Sequence, residues 1–197
     1  MASLFDTLEL QAFRSGIEAR TNKSRLWFQR KVKELGTVNR TALMKDDALT
    51  SVAKPQIGDM VMYFYDPKTK DTLPFYDRFP LTIMVQPAPG GFHGLNLHYL
   101  SPSIRAAFLD KLMQLAPEKV RDTTRLTRLR YNLLKSTESY KEFKPCFKHY
   151  LMSHVTSNMS RVAMPEWEIA VFLPTQQFAK KSDRYAWSNS RNIYKGV

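Results

Sequence analysis

The apolar positions near the start of the chain follow a helical period. Three of them recur at i, i+4 and i+7 within residues 21–36: Phe28, Val32 and Leu35. This spacing predicts an N-terminal helix, with hydroxyl and amide side chains at its start as caps and Gly36 at its end. Residues 1–20 show a weaker period, and we predict an N-terminal arm there that orders only against a partner.

The middle of the chain has the pattern of short β-strands. We predict strands at residues 59–65, 81–85 and 92–99, each bounded by residues that favour turns. Residues 73–80 contain two prolines, which indicates an edge strand or a looped crossing. Gly94 and Asn96 inside a strand indicate a bulge or a close backbone contact.

The last part of the chain returns to helical spacing. We predict helices at residues 101–117, 123–135 and 143–155, and a short helix that begins at Pro165 and ends before Pro174. The predicted fold class is therefore α+β, with an N-terminal helix, a small antiparallel sheet or SH3-like barrel, and a helical C-terminal half. Residues 21–175 are predicted to form a single domain, between the arm at 1–20 and a basic tail at 176–197.

The composition excludes several classes of protein. Apolar residues make up 43% and aromatic residues 12%, too many for a disordered chain. No apolar run approaches the roughly 20 residues that cross a bilayer, so we expect no membrane segment. Cys146 is the only cysteine and cannot form an internal disulfide, which fits synthesis in a reducing compartment.

The positive charge is unevenly distributed. The formal charge is +12, yet residues 57–99 hold 3 basic and 4 acidic residues, whereas residues 100–197 hold 17 and 8. A surplus of this size points to an acidic partner, with nucleic acid first among the candidates.

Two basic stretches are candidates for contact with DNA phosphates. One lies in the predicted helix at 123–135 and just before it, and the other is the tail, where aromatic residues (Tyr185, Trp187 and Tyr194) alternate with basic ones. The residues that we predict to contact DNA are Arg121, Arg125, Arg128, Arg130, Lys180, Lys181 and Arg184. Such contacts would hold the backbone without reading sequence. The alternative interpretation is a solvated helix face and a tail that docks on an acidic protein.

Catalytic and metal chemistry have weaker signals. The four histidines and one cysteine match no zinc pattern, and there is no phosphate loop or dinucleotide motif, so we predict no metal and no cofactor. Glu142 and Lys144 have the acid-x-Lys form of many magnesium nucleases, with the aspartates of the β region as potential partners. That pair also arises by chance, and Cys146 has no histidine at a recognisable spacing. We therefore predict no catalytic residues and keep the nuclease as a third hypothesis.

Several long motifs of the chain resemble a known phage family. The motifs are MVMYFYDPKTK at residues 60–70, LPFYDRFPL at 73–81 and GFHGLNLHYL at 91–100, with shorter ones at 143–146, 149–151, 154–155 and 166–174. Together they resemble virion proteins of large contractile-tailed (T-even-like) phages that are often labelled DNA end protector proteins. The likeness covers about residues 22–192.

The resemblance implies a virion protein that is made in the host cytoplasm. It would bind the end of packaged double-stranded DNA near the portal, shield it from exonuclease, and help to complete the head. The resemblance also implies other phage virion proteins as partners, and it is compatible with a homo-oligomer. The alternative is an architectural neck, tail or baseplate-hub protein whose basic surfaces contact other virion subunits.

Overall fold

One antiparallel sheet of six strands forms the centre of this protein. The computed structural model describes residues 3–19, 21–114 and 144–195. Its strands run in the order β1-β7-β2-β4-β5-β6, and a separate two-stranded sheet pairs β3 with β8. The strands are β1 (Leu49–Val52), β2 (Met60–Met62), β3 (Tyr76–Asp77), β4 (Leu81–Ala88), β5 (Gly91–Asn96), β6 (Phe147–Leu151), β7 (Met159–Val162) and β8 (Phe178–Ala179).

The helices of the described residues belong to the N-terminal and C-terminal parts of the chain. They are α1 (Leu4–Arg14), α2 (Asn22–Glu34), α3 (Arg40–Leu43), α4 (Pro102–Gln114), α5 (Trp167–Phe172) and α6 (Asp183–Lys195). The predicted α+β class is confirmed, and the sheet is open rather than a closed barrel. None of these helices combines the length and the hydropathy that a membrane crossing requires.

The sheet buries both of its faces. Met60 and Met62 of β2 point into the core that the sheet shares with the helices, whereas Val61 points into a second cluster on the opposite face. Tyr63 and Tyr150 lie in this second cluster with ring centroids 5.5 Å apart in an edge-to-face arrangement, a favourable geometry for aromatic pairs. Burial on both sides explains why the chain is apolar at consecutive positions here, without the alternation of a half-exposed strand.

The hairpin of β4 and β5 accounts for the glycines of the middle region. The pairing shifts by one residue between Met84 and Gln86, which places a bulge in β4. A Cβ atom on Gly94 would lie 2.3 Å from Cγ2 of Thr82, so the close approach predicted at this position is confirmed. The bulge itself lies on the neighbouring strand.

The predicted N-terminal helix is confirmed as α2. Thr21 and Ser24 form a capping box, because each side chain bonds the backbone N–H of the other residue at 3.0 Å. The predicted helix at 101–117 is present as α4 as far as Gln114, and the short helix that ends before Pro174 is present as α5. The predicted helix at 123–135 lies outside the described residues.

The helix predicted at residues 143–155 is wrong, because Phe147–Leu151 forms strand β6. This strand pairs with β5, so that Phe92 lies opposite Tyr150 and His93 opposite His149. A short apolar run of this kind is compatible with a helix or a strand, and it forms a strand here because it pairs with the open edge of β5.

The ends of the chain are more ordered than the sequence suggests. Where we expected an arm, α1 packs into the core through Phe5 and Leu8, and the side chain of Ser3 caps it by accepting from the N–H of Asp6. Its period is weak because Leu10 and Phe13 add apolar positions on the outer side. Where we expected a tail, β8 and α6 follow, and among the described side chains of α6 the fully buried ones are the small residues Ala186 and Ser190.

Candidate nucleic-acid interface

The outer face of α6 is a basic surface. Four exposed polar residues recur at i, i+4, i+7 and i+11 along this helix, which places them in one row: Arg184, Ser188, Arg191 and Lys195. The only carboxylate between residues 176 and 195 is Asp183, and its Oδ2 accepts a hydrogen bond from Nε2 of Gln176 at 2.9 Å. Within residues 3–19, 21–114 and 144–195, none of the three cations of this row forms an ion pair.

An aromatic ring borders this basic face. Nζ of Lys181 lies 4.9 Å from the ring centroid of Tyr185, and 46% of Tyr185 is exposed. Exposed rings beside cations can stack on unpaired bases, as single-strand binding proteins use them. We call Lys181, Arg184, Tyr185, Arg191 and Lys195 the α6 basic face.

Lys180 has a different environment from its neighbour. Its Nζ donates to three backbone carbonyls of one loop, those of Lys70 (2.7 Å), Asp71 (3.1 Å) and Leu73 (2.8 Å). Its φ is +68°, which is unusual for a residue other than glycine. The ammonium group thus ties the 68–73 loop to the start of α6, and we remove it from the candidate phosphate contacts.

The other predicted DNA contacts fall elsewhere. Arg121, Arg125, Arg128 and Arg130 lie outside the described residues, as does the side chain of Tyr194. Trp187 is half-buried, and its Nε1 donates to the carbonyl of His98 at 2.9 Å. It attaches α6 to the body of the protein, and the guanidinium of Arg105 lies 5.7 Å from its ring centroid.

Behind α6 lies a buried network of polar side chains centred on Asp77. The two carboxylate oxygens of Asp77 accept from the N–H groups of Phe79 (3.1 Å) and Gln177 (3.0 Å) and from Nδ2 of Asn96 (3.2 Å). Nδ1 of His98 donates to Asp77 Oδ2 at 2.6 Å. Burial acts to raise the pKa of Asp77, but the His98 interaction and these backbone donors outweigh it, so the pKa lies below its usual value.

The histidine of this network is held neutral. Burial lowers the pKa of His98, and the nearby charge of Asp77 opposes that shift only in part. With Nδ1 protonated toward Asp77, Nε2 accepts from the hydroxyl of Thr175 at 3.1 Å. The carboxylate of Asp77 is thus ionised, because four hydrogen-bond donors stabilise its charge. The imidazole of His98 is neutral, because burial and the nearby charge of Arg105 both disfavour a second buried cation.

The order Thr175–His98–Asp77 has the connectivity of a nucleophile, a base and an orienting carboxylate. All three side chains are buried, and Thr175 and His98 have no exposed surface. A substrate cannot reach the hydroxyl in this conformation, so the network fixes the relative positions of β3, α6 and the residues that follow β5 and α5.

Arg105 joins the same network from α4. Its guanidinium is buried and donates through Nε to the carbonyl of Leu100 (2.8 Å) and through its terminal nitrogens to His98 O (3.2 Å) and Val171 O (3.3 Å). Burial lowers the pKa of Arg105 to about 10, which leaves it protonated at neutral pH. No sequence pattern indicated this role, because one arginine within an amphipathic helix is normally a solvated side chain.

The described residues that were considered for metal chemistry do not form a metal site. In the part of the chain that the structure describes, no three histidine, cysteine or acidic side chains are placed to hold a metal ion. Asp66 forms an ion pair with Lys70 at 2.8 Å, and Asp59 accepts from the N–H of Gln56. Glu142 of the nuclease hypothesis lies outside the described residues. His93 and His149 are neighbours with ring centroids 5.0 Å apart, which the sequence spacing did not suggest.

Comparison with known proteins identifies the family. No curated protein and no solved structure matches the chain. The family described as phage T4 terminal DNA protecting protein matches residues 5–195, which is nearly the whole chain. The match includes α1 and α6, the two ends that we had assigned to an arm and a tail. The chain therefore belongs to the phage T4 terminal DNA protecting protein family.

Proposed function

We propose that this protein binds the end of double-stranded DNA in the virion through phosphate contacts and protects that end from exonuclease without turnover. The family supports DNA end protection in general terms. The observation that carries the proposal for this chain is the α6 basic face, an exposed row of cations that form no ion pair with any other described residue.

The mechanism is electrostatic and steric. Each phosphate that a lysine or arginine neutralises releases condensed counterions, so binding is favourable on any sequence and weakens as salt rises. Tyr185 adds a ring that can stack on a base at a frayed terminus. The body of the protein then occupies the space that an exonuclease needs, and no bond is made or broken.

A charge-reversal experiment tests the proposal. In a gel shift with blunt linear DNA, Arg184→Glu with Arg191→Glu should weaken binding by about tenfold or more and lower the salt dependence by about two ion equivalents. The matched control is Lys45→Glu with Lys54→Glu, which changes the net charge equally at exposed positions far along the chain. Equal loss in both double variants would contradict an interface at α6.

A comparison of linear with circular DNA distinguishes end protection from the two alternative functions. Retention of linear over circular DNA, together with slower degradation by an added double-strand exonuclease, is the outcome expected for end protection. No retention of either DNA would favour the architectural neck, tail or baseplate-hub protein. Cleavage products that appear only with magnesium would favour the nuclease.

A further inference from the structure

A cavity lies beside the α6 basic face. It has a volume of about 510 Å³ and is formed by the second half of α2, the start of α4 and the side of α6 that carries Trp187. Sites for small ligands commonly have volumes of about 300–1,000 Å³, so this cavity has the size of a site for one nucleotide and cannot admit a duplex. Trp187 lies three residues after Arg184 and four before Arg191, which places the cavity next to these two cations.

The described residues that line this cavity include two cations and no carboxylate. The guanidinium of Arg105 is buried, and it donates to backbone carbonyls and to Oε1 of Gln176, which are all neutral oxygens. Asp77 and Asp183 act on its charge without contact. Lys33 is exposed and forms no ion pair within the described ranges. An anion is therefore the ligand whose charge complements this cavity.

The rest of the wall suits a base or a sugar. Val32, Phe172 and Pro174 supply apolar surface, and Trp187 adds a half-buried indole ring. Aromatic rings bind unpaired bases of any identity by stacking. The guanidinium of Arg105 lies 5.7 Å from the centroid of the Trp187 ring, so positive charge and aromatic surface are adjacent. A ligand that combines an anionic group with a flat ring matches both parts of the wall.

The end of a DNA molecule offers such a ligand, whereas its interior does not. A terminal base pair can fray, and its nucleotide then leaves the stack at a lower cost than a nucleotide of the interior. A 5′-terminal phosphate is a monoester, which carries more negative charge near neutral pH than the diesters of the backbone. The phosphate contacts of the α6 basic face are the same along the whole duplex, so they do not distinguish an end by themselves.

We propose that this cavity, which we call the end-nucleotide cavity, binds the frayed 5′-terminal nucleotide of the DNA, with its phosphate near Lys33 and Arg105 and its base against Trp187. The inference rests on the proposed function, because the α6 basic face holds the duplex from which this nucleotide comes. It adds the feature that makes binding selective for an end. An exonuclease cannot reach a terminal nucleotide that is held in this cavity, and no bond is made or broken.

The phosphate contact is tested with two blunt linear duplexes of one sequence, whose 5′ ends carry either a phosphate or a hydroxyl group. The unsubstituted chain should bind the phosphorylated duplex about tenfold more tightly at equal salt, as expected for one charge-assisted contact. Lys33→Gln should lose most of this preference. Lys23→Gln is the matched control and should keep it, because Lys23 is an exposed lysine of the same helix that does not line the cavity. Equal affinity for the two duplexes, or equal loss of preference in the two variants, overturns the proposal.

Filling the cavity gives a test that changes no charge. Ser103 is exposed at the start of α4 and lines the cavity, so Ser103→Trp places an indole ring in the space that the nucleotide needs. This variant should lose the preference for 5′-phosphorylated ends. Gln11→Trp adds the same ring at an exposed position of α1 outside the cavity, and it should keep the preference. Circular dichroism checks that each variant is folded. A folded Ser103→Trp variant that keeps the full preference overturns the proposal.

The cavity and the α6 basic face fail in different ways. If linear DNA is retained and protected but the 5′ phosphate has no effect, the end-nucleotide cavity alone is overturned. If Arg184→Glu with Arg191→Glu leaves retention intact while Lys33→Gln and Ser103→Trp remove the preference for phosphorylated ends, the α6 interface alone is overturned. A chain that binds neither duplex overturns both.

Discussion

At the scale of single residues, neighbours in the sequence have opposite roles. Lys180 and Lys181 look equivalent in the tail, but the first donates to three loop carbonyls and the second lies over an exposed tyrosine. The positive φ of Lys180 turns its side chain back toward the 68–73 loop. Charge alone cannot separate such residues, because backbone direction decides whether a cation faces a carbonyl or the solvent.

Removing the ammonium group of Lys180 should loosen this loop. We expect Lys180→Ala to lower the free energy of unfolding by about 1 kcal/mol, since it loses charged hydrogen bonds to carbonyls at an exposed site. Hydrogen exchange at residues 68–73 should accelerate, whereas affinity for DNA should change far less than in Arg184→Glu. Lys180→Gly removes the same bonds but relaxes the backbone, so it should be the more stable of the two variants. An unchanged loop in both variants would contradict the bracing role.

At the scale of elements, the sheet depends on close approach between strands. Gly91 begins β5 opposite Leu151 of β6, and a Cβ atom there would lie 1.8 Å from the carbonyl oxygen of Tyr150. Backbone atoms of a paired strand cannot give way as a flexible side chain does. The absence of a side chain at Gly91 therefore lets β6 approach β5 closely enough to pair with it.

A methyl group at this glycine should therefore separate β5 from β6. Gly91→Ala should destabilise the protein by about 3 kcal/mol, the upper range for overpacking, as measured by urea unfolding. Gly36→Ala is the control: its φ is +64° but no atom lies within 4 Å of its Cβ, so about 1 kcal/mol is expected. Equal losses in the two variants would show that contact with β6 contributes nothing.

At the scale of the whole molecule, the buried network connects distant parts of the chain. Asp77 lies in the middle region, His98 follows β5, Thr175 follows α5, and Arg105 belongs to α4. Because these elements share one set of hydrogen bonds, a change in protonation at its centre acts on the entire fold.

Acid should destabilise the protein through His98. The folded-state pKa of this histidine is lowered from 6.5 by burial, so the unfolded chain takes up the proton first as the pH falls. Its contribution to stability is complete above pH 6.5 and declines below it, by up to about 1.4 kcal/mol per pH unit. Burial raises the pKa of Glu166 to about 7, and its protonation favours the folded protein in the same window. The effect of His98 is therefore measured as the difference in Tm between the unsubstituted protein and His98→Gln, which should shrink from pH 7 to pH 5.

Substitution distinguishes the effect of His98 on the pH dependence of stability from that of the other three histidines. His98→Gln should be less stable than the unsubstituted protein at neutral pH, and it should lose less stability, or gain more, between pH 7 and pH 5. His149→Gln, at an exposed position, should keep the slope of the unsubstituted protein. A dependence of Tm on pH that is the same in His98→Gln and in the unsubstituted protein would contradict the role of His98.

The sequence by itself determined the α+β class, helix α2 with its caps, the strands of the middle region and the basic character of the last segment. These follow from local rules: apolar spacing, capping side chains and turn residues act within a few positions. The motifs at residues 60–100 also led to the family, because each is long enough to be distinctive.

Only the tertiary structure decided that residues 147–151 form a strand, how both ends of the chain pack, and which charged side chains are buried, hydrogen-bonded or exposed. Residues 147–151 form a strand because they pair with the open edge of β5. Helix α1 has apolar residues on more than one side, and packing against the core buries only the side that carries Phe5 and Leu8. The charge of +12 alone indicated a basic protein with an acidic partner. Folding buries Arg105, places Lys180 against three loop carbonyls and exposes the row on α6, because burial and hydrogen-bond partners depend on neighbours in three dimensions.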